Sequence, residues 1–312
     1  MVNIENLTKY YGPTLAVDAV SFEVAKGEVV GFLGPNGAGK TTTMRIVTCY
    51  LKPTSGTVSV AGYDIRNDPL EVRKRIGYLP ENCPLYPEMN VVDYLNYIAE
   101  LRQVPSSERS RRVKEMIGIT GLESVLWKDI GELSKGYRQR VGLAQSMVHD
   151  PDILIFDEPT SGLDPNQIVE IRQLIREIGR EKTVILSTHI LPEVSATCNR
   201  VLIINDAKMI ASGTTDELIN RAQGADVVTA GIKGPEEEVY QALREAAFAG
   251  EFRKIREEPE NGGAWLTLEI ESAGGDIREQ LFRLVVEKNW SMRELKLEKM
   301  SLEEVFAKLT TS

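Results

Sequence analysis

The chain has 312 residues, a length that favours two compact domains over a single small one. Hydrophobic residues make up 42% of the sequence and charged residues 27%, which is the balance of a folded globular protein and excludes a disordered or collagen-like chain. A formal net charge of −9 disfavours functions that depend on general attraction to nucleic-acid phosphates or to anionic lipids.

Membrane insertion and secretion are also disfavoured. No apolar run approaches the roughly 20 residues that cross a bilayer, and residues 1–5 lack the charged and apolar segments of a secretory signal. The cysteines at 49, 83 and 198 form no C-x-x-C pair and fit reduced thiols. We therefore expect a cytoplasmic protein without a disulfide framework or a cysteine-bound metal.

Short β-branched runs alternate with longer helical stretches from residue 3 to about residue 219. This alternation predicts an α/β fold with a largely parallel sheet that is covered by helices. The candidates for buried strands are the apolar runs 29–33, 153–156, 183–187 and 201–204. Because ligands of such sheets bind beyond the carboxyl ends of the strands, the residues directly after these runs are the first candidates for a functional site.

A glycine-rich segment follows the first of these runs. It fits the P-loop pattern G-x-x-x-x-G-K-[ST], with a strand before it and a helix predicted over 42–51 after it. Its glycines allow backbone N–H groups to surround phosphates, its lysine neutralises the β- and γ-oxygens, and its threonine hydroxyl can ligate Mg²⁺. The nucleotide-binding residues predicted here are Gly34, Pro35, Asn36, Gly37, Ala38, Gly39, Lys40, Thr41 and Thr42.

Two adjacent carboxylates, Asp157 and Glu158, follow the strand predicted over 153–156. They fit a Walker B pair, in which the first acid holds the shell of Mg²⁺ and the second polarises the attacking water. An isolated pair of acids commonly does no more than end a strand. Its position beyond a buried strand, in a chain that also has a P-loop, favours the catalytic interpretation.

The pattern changes after about residue 222. Predicted strands over 227–232, 252–255, 265–270 and 291–297 are interrupted by predicted helices over 235–247 and 276–288. Two βαβ units in this order indicate a small α+β domain of the ferredoxin-like type. Ser301 and Glu304 then form a capping-box pattern that predicts a last helix. We therefore divide the chain into 1–222 and 223–312, and no catalytic constellation is visible in the second part.

Further motifs surround the Walker residues in a fixed order: Leu133-Ser134-Lys135-Gly136-Tyr137 comes before the acid pair, and 161–164 and 187–189 come after it. This set resembles the ATP-binding-cassette (ABC) ATPases. The resemblance implies a P-loop ABC cassette of mixed, mainly parallel sheet with a helical subdomain at about 83–150. It implies that ATP and Mg²⁺ bind, with Lys40, Glu158 and His189 as catalytic residues. The further nucleotide contacts that it implies are Tyr11 at the adenine, Ser134 and Gly136 in the signature, and Asp164 in the D-loop.

Some of these positions have competing interpretations. Tyr10 competes with Tyr11 for adenine stacking, and either ring taken alone would suit a surface or core aromatic. His149 precedes a predicted loop and is expected to be structural, whereas His189 ends a predicted strand at the phosphate edge. Ser134 alone is a good helix N-cap, and a helix N-terminus is also an anion site, so both of its roles are compatible.

Two positions depart from the usual family pattern. Glu81 stands where the Q-loop usually has glutamine; its carboxylate can still approach Mg²⁺, and with Thr41 and Asp157 it completes the metal ligands that we predict. In the signature, Lys135 and Tyr137 replace glycine and glutamine. The positions expected to touch phosphate are retained, which indicates variation within the family rather than inactivation.

The segments 133–142, 162–167 and 301–306 narrow the resemblance to the ATPases of ABC-2-type exporters, closest to the gliding-motility-associated ATP-binding subunits. This implies an ATP-hydrolysing subunit that powers export through separate integral-membrane subunits at the inner face of the cell membrane. A signature segment caps the ATP of another subunit, so the resemblance also implies a head-to-tail dimer with itself or a homologous subunit. The membrane subunits are expected to dock near 81–97, although the apolar stretch 84–87 would equally suit packing within the helical subdomain.

A different class of function is a soluble ABC ATPase that acts on nucleic acid or on ribosomes. A single P-loop, the lack of a heptad insertion and the net charge of −9 disfavour it. We expect no nucleic-acid partner. The pattern after residue 222 suits either a dimerisation domain or a small-molecule sensor, and we favour dimerisation.

Overall fold

The computed structural model describes residues 1–222, 226–260, 263–298 and 301–310. The chain divides into two units, Met1–Thr215 and Asp216–Ser312. This division lies shortly before the boundary proposed from sequence, and residue 223, the predicted start of the second domain, lies outside the described residues. Within the described ranges, the helices are too short or too polar to span a bilayer.

The first unit alternates strands and helices. Its elements are β1 (Val2–Tyr11), β2 (Thr14–Val24), β3 (Val29–Leu33), α1 (Lys40–Val47), β4 (Ser55–Val60), β5 (Tyr63–Asp64), α2 (Pro69–Arg75), β6 (Ile76–Leu79), α3 (Val91–Leu101), α4 (Ser106–Thr120), α5 (Lys135–Met147), β7 (Ile153–Asp157), α6 (Pro165–Gly179), β8 (Thr183–Thr188), α7 (Leu191–Thr197), β9 (Arg200–Asn205) and β10 (Lys208–Gly213). Helix α8 (Thr215–Ala222) follows.

The larger sheet has six strands in the order β10-β9-β3-β8-β7-β6. The strands from β9 to β6 pair in parallel, and β10 runs antiparallel at one edge. Every residue of β3, β7 and β8 is buried, which explains the apolar centres of these strands. The strands predicted over 29–33, 153–156, 183–187 and 201–204 are confirmed.

A second sheet of four strands, in the order β2-β1-β4-β5, is antiparallel throughout. The alternation of strands and helices did not predict it. Its inward side chains, among them Val2, Ile4 and Leu7, share one apolar core with Met44 and Ile46 of α1. This sheet therefore supports the helix that follows the P-loop.

Helix α1 ends earlier than the predicted 42–51. It stops at Val47, and Thr48 caps its end through its backbone N–H. Cys49 then adopts a left-handed backbone with a φ of 59°, which no α-helix can continue. The helical region expected at about 83–150 is present, since α3, α4 and α5 pack around a core that includes Tyr94, Leu95 and Val141.

The second unit has the predicted βαββαβ order. Its elements are β11 (Val227–Gly234), α9 (Glu236–Glu245), β12 (Ala249–Glu260), β13 (Gly263–Ser272), α10 (Arg278–Glu287), β14 (Ser291–Glu298) and α11 (Leu302–Thr310). The four strands form an antiparallel sheet in the order β12-β13-β11-β14, which is the ferredoxin-like arrangement. Ser301 and Glu304 exchange the hydrogen bonds of a capping box at the start of α11, as predicted.

Candidate nucleotide-binding site

Three neighbouring parallel strands, β3, β8 and β7, end at the same edge of the larger sheet. Leu33 pairs with Thr188, and Asp157 pairs with Ser187. The glycine-rich loop, the acid pair and His189 follow these strand ends directly. Parallel pairing in this register therefore brings together residues that are far apart in the sequence, at the edge where such sheets bind ligands.

The backbone of the glycine-rich loop has a shape that only glycine accommodates. Gly39 precedes α1 with a φ of 104°, and Gly37 has a φ of 83°. A Cβ atom at Gly39 would also overlap the carbonyl oxygen of Ala16. No side chain caps the start of α1 within the described chain, so the first N–H groups of the helix face the loop and can bind an anion.

Lys40 is buried inside this loop, with 5% of its surface exposed. Its Nζ donates to the carbonyl oxygens of Gly34 at 2.8 Å and Pro35 at 3.1 Å. The same Nζ lies 3.4 Å from Oε1 of Glu158. The ammonium group therefore lies between the loop and the acid pair, where it can neutralise phosphate charge.

Glu158 connects the lysine to the histidine. Its Oε2 lies 2.9 Å from Nδ1 of His189. Its backbone has a φ of 50°, a conformation that is strained for a side-chain-bearing residue, and its N–H donates to the carbonyl of Ser187 at 2.9 Å. The backbone thus turns sharply after β7 and directs this carboxylate into the cleft, while Asp157 stays behind it.

Asp157 is fully buried. Among the described residues, neither of its carboxylate oxygens has a hydrogen-bond partner of good geometry, although the hydroxyls of Thr41 and Ser187 are near enough to lower its pKa in part. Burial outweighs them and raises the pKa of Asp157, and the charge of Glu81 adds to this effect. A buried carboxylate with unused oxygens fits a hard cation such as Mg²⁺.

Lys40, Glu158 and His189 border a cleft of about 360 Å³, whereas Asp157 and the loop residues Gly34, Pro35 and Ala38 lie outside its lining. Its lining residues are Ala16, Asn36, Gly37, Gly39, Lys40, Thr41, Thr42, Glu81, Glu158, Ser161 and His189. The cleft therefore joins the P-loop to the predicted catalytic acid, the histidine and Glu81.

The comparisons with known proteins agree with this arrangement. The profile of the family described as ABC transporter matches residues 17–161. The ABC transporter ATP-binding protein NatA of Bacillus subtilis (strain 168) is 38% identical over 214 residues, which are 68% of this chain and 87% of NatA. The chain belongs to the ABC transporter ATP-binding proteins. A second relative is the Nod factor export ATP-binding protein I of Cupriavidus metallidurans (strain CH34), which is 36% identical over 73% of this chain and 76% of its own length.

A solved structure is also similar to this ABC protein. It is a dimeric ATP-binding cassette in a post-hydrolysis state bound to ADP and Pi. The two chains superpose with a TM-score of 0.63 and 26% identity over 69% of this chain and 98% of that one. The similarity confirms the ABC cassette fold that the motifs predict.

The remaining predicted residues of the ABC protein lie outside the lining of the cleft. Ser134 caps α5 by accepting from the N–H of Tyr137 at 3.4 Å, and Gly136 follows in the first turn of that helix. Asp164 caps α6 by accepting from the N–H of Gln167 at 2.9 Å. Tyr11 lies at the end of β1 and is 45% exposed, like Tyr10. Within one chain these residues do not meet the P-loop lysine.

Sequence reasoning missed two kinds of residue. Ala16 was not singled out, because nothing in its local sequence shows that the β2 backbone packs against Gly39. Glu193 was also missed, although it is 1% exposed and follows His189 by one helical turn. The available signal was a charged residue four positions after His189, the histidine at the edge of the sheet where phosphate is expected.

A second cavity of about 450 Å³, the aromatic groove, lies beside the Q-loop. Its tyrosines are Tyr50, Tyr78, Tyr86, Tyr94 and Tyr97, and Arg45 and Arg102 also line it. Of the described residues that line it, none is acidic, although the whole chain has a net charge of −9. The stretch 84–87 thus contributes both to packing and to a surface, since the Tyr86 ring contacts Tyr94 at a centroid distance of 5.9 Å and is half exposed.

Proposed function

We propose that this protein hydrolyses ATP and uses the energy to power export through separate membrane subunits. The observation that carries the proposal is the contact of Glu158 with both Lys40 and His189 at the mouth of the P-loop. A carboxylate in that position can take the proton of an attacking water, and the lysine and the histidine can stabilise charge on the γ-phosphate. Binding and positioning by these groups account for most of the catalysis expected in phosphoryl transfer.

Magnesium fits the donor set of the site. Thr41, Glu81 and Asp157 would hold it, the first through a hydroxyl and the others through carboxylates. When bound, Mg²⁺ neutralises charge on the β- and γ-phosphates. Burial of Asp157 makes its charge costly unless a cation pairs with it, which supports this assignment.

Two copies are proposed to act together. Ser134 and Gly136 lie at the N-terminus of α5, away from the chain's own cleft, and a helix N-terminus can bind the phosphate of a nucleotide held by another copy. The dimeric cassette bound to ADP and Pi supports this arrangement by analogy. Asp164 would contribute at the same interface, and Tyr11 would stack on the adenine.

The aromatic groove is the proposed docking site for a membrane subunit. Its tyrosines offer a large apolar surface, and its two arginines, with no acid among the described residues that line the groove, favour a cytoplasmic segment that carries carboxylates. Docking there would hold the protein at the inner face of the membrane, as a peripheral subunit.

The finer assignment is an ABC-2-type exporter of the gliding-motility-associated subgroup. The segments 133–142, 162–167 and 301–306 support it, and the Nod factor export relative supports export as the direction of transport. No observation favours the nucleic-acid or ribosome alternative. The domain predicted over 223–312 is proposed to serve in dimerisation.

The decisive experiment for hydrolysis is the Glu158→Gln variant. We expect it to bind ATP normally and to hydrolyse ATP at least about 10²-fold more slowly, because positioned general bases contribute at that level. Glu28→Gln is the matched control, since Glu28 is a partly buried glutamate that pairs with Arg200 rather than with the cleft. Near-normal turnover by Glu158→Gln, or an equal loss in the control, contradicts the assignment of the base.

Docking is tested with variants that carry a photo-crosslinking residue at position 86 or at position 97. Each variant is irradiated while it is bound to native membranes. Position 127 is the control, because Trp127 is 74% exposed but lies outside the aromatic groove. We expect crosslinks to an integral-membrane protein from 86 and 97 and none from 127. Equal crosslinking from all three positions contradicts docking at the groove.

A further inference from the structure

A second buried carboxylate lies next to the site but does not line it. Glu193, on α7, is 1% exposed. Its Oε1 accepts a hydrogen bond from the hydroxyl of Thr160, and its Oε2 accepts one from the hydroxyl of Thr188 at 2.8 Å. Both oxygens of this carboxylate thus bind threonines, one in the loop after β7 and the other at the end of β8.

These two threonines flank the proposed catalytic pair. Thr188 directly precedes His189, and Thr160 is two residues after Glu158. The Thr188 hydroxyl also accepts from the N–H of Ile190 at 3.0 Å, so it holds the backbone on the far side of the histidine. Together with the 2.9 Å contact between His189 and Glu158, the hydrogen bonds form a closed ring through both loops.

Packing alone does not explain a carboxylate at this position. Burial of an ionised carboxylate costs several kcal/mol unless hydrogen bonds and an opposite charge compensate. The nearest cation that pairs with Glu193 is Arg172 on α6, whose Nη2 is 3.8 Å from Oε1. That distance is long for an ion pair, so most of the compensation comes from the threonine hydroxyls.

We propose that Glu193 is a positioning residue that holds the Glu158 and His189 loops in register. Acting through Thr160 and Thr188, it sets the geometry of the catalytic pair without touching nucleotide. The predicted effect on kcat rests on the proposed hydrolysis. The predicted effect on the position of His189 holds in the protein without nucleotide.

The kinetic test compares Glu193→Ala, Glu193→Gln and Thr188→Val with wild type. We expect Glu193→Ala to lower kcat by about 10²-fold, because a misplacement of about 1 Å has that effect, with little change in KM for ATP. Thr188→Val should lower kcat by about tenfold, and the double variant should be no slower than Glu193→Ala alone, since both act through one contact. Glu193→Gln keeps the shape and one accepting oxygen, and its amide nitrogen can donate to the oxygen of the other threonine hydroxyl. Both contacts can therefore persist with one of them reversed, and kcat should stay within about threefold of wild type.

The control for a merely structural effect is Thr120→Val. Thr120 is a fully buried threonine on α4 whose hydroxyl donates to the carbonyl of Met116, so it matches Thr188 in burial and chemistry. Thr120→Val should lose a similar amount of stability with unchanged kcat. An equal loss of kcat in this control, or a kcat for Glu193→Ala within about threefold of wild type, overturns the proposal.

A second readout does not need hydrolysis. The chain has two histidines, so ¹⁵N-histidine labelling gives two imidazoles, and a His149→Gln variant assigns them. Glu158→Ala defines the shift of the His189 Nδ1 resonance when its carboxylate partner is lost. We expect Glu193→Ala and Thr188→Val to move this resonance in the same direction and Thr120→Val to leave it in place.

The two readouts separate the proposals. A wild-type protein that does not hydrolyse ATP contradicts the proposed function, and the resonance still decides the role of Glu193. An unmoved His189 resonance in folded Glu193→Ala and Thr188→Val overturns the positioning role, whatever the rate of hydrolysis.

Discussion

The two units of the chain bury different kinds of side chain. The first unit buries charged groups at the end of its larger sheet, among them Lys40, Asp157, Glu158 and Glu193. In the described part of the second unit, Ser272 is the only buried polar side chain, and the core is formed by residues such as Val228, Leu268 and Leu281. Its ion pairs lie at the surface.

This difference shows that the side chains that stabilise a domain are not the ones that perform its chemistry. An apolar core stabilises a domain in proportion to the area that it removes from water, whereas buried charges lower stability unless each is paired. The first unit tolerates this cost mainly at one edge of its larger sheet, which is the edge that binds ligands in this fold, and Arg112 on α4 is a buried charge elsewhere that pairs with Glu115. Among the described residues of the second unit, no sheet edge buries charged groups in this way.

The largest effect is expected from Lys40→Met, which removes the charge between the P-loop and Glu158. Loss of one partner from a buried ion pair costs about 3 kcal/mol of unfolding free energy, and ATP affinity should fall at least about 10²-fold. Urea denaturation and nucleotide titration measure these changes. Lys26→Met, at an exposed lysine, should change neither quantity, and a normal affinity in Lys40→Met contradicts the phosphate role.

A pH effect is expected from His149, which is partly buried and whose Nε2 donates to the carbonyl oxygen of Ile76 at 3.1 Å. Burial lowers the pKa of His149 to about 4, below the value of about 6.5 in the unfolded chain. The contribution of the neutral imidazole to the free energy of unfolding is therefore complete above about pH 6.5 and is lost as the pH falls toward 4. Between pH 7.5 and pH 5 this loss is about 2 kcal/mol. The His149→Gln variant should show a correspondingly weaker pH dependence of unfolding. An unchanged slope contradicts the shifted pKa.

A smaller effect, of opposite sign, is expected from Asp157→Asn. Because burial raises the pKa of Asp157, its charged form lowers stability, and the variant should be more stable than wild type without nucleotide at neutral pH. The advantage should disappear as the pH falls and Asp157 takes up its proton. Stabilisation by Mg-ATP should be lost in the variant, and its retention in thermal unfolding would argue against a metal role.

The smallest effect is expected in the second unit. Arg253 pairs with Glu269 across the surface of β12 and β13, and 74% of its side chain is exposed. Exposed pairs contribute little, so Arg253→Ala should shift the unfolding midpoint by no more than about 2 °C. A much larger shift would show that the second unit also depends on its charges.

Local patterns predicted the parts of the fold that are locally determined. The strands β3, β7 and β8 have apolar centres without polar alternation because both of their faces are covered. The antiparallel sheet was missed because register shifts interrupt the pairing of β1 with β2 and with β4, and β5 has two residues. Their pairing depends on partners far along the chain, and a local sequence pattern gives no information about such partners.

The same reasoning explains what was predicted at the site. The P-loop and the acid pair are contiguous motifs, and their meeting follows from the adjacency of parallel strands. The contact of Thr160 with Glu193 joins residues 33 positions apart. It exists because β7, β8 and α7 are packed side by side, so the ring of hydrogen bonds around the catalytic pair could be found only in three dimensions.

The left-handed backbone at Glu158 has a consequence for laboratory evolution. Glycine would occupy that conformation with less strain than glutamate does. That gain is smaller than the cost of the change, because Glu158→Gly also leaves the buried Lys40 without its acidic partner, a loss of about 3 kcal/mol. A library selected for heat resistance alone should therefore keep the glutamate, and the ion pair with Lys40 holds the strained backbone in place.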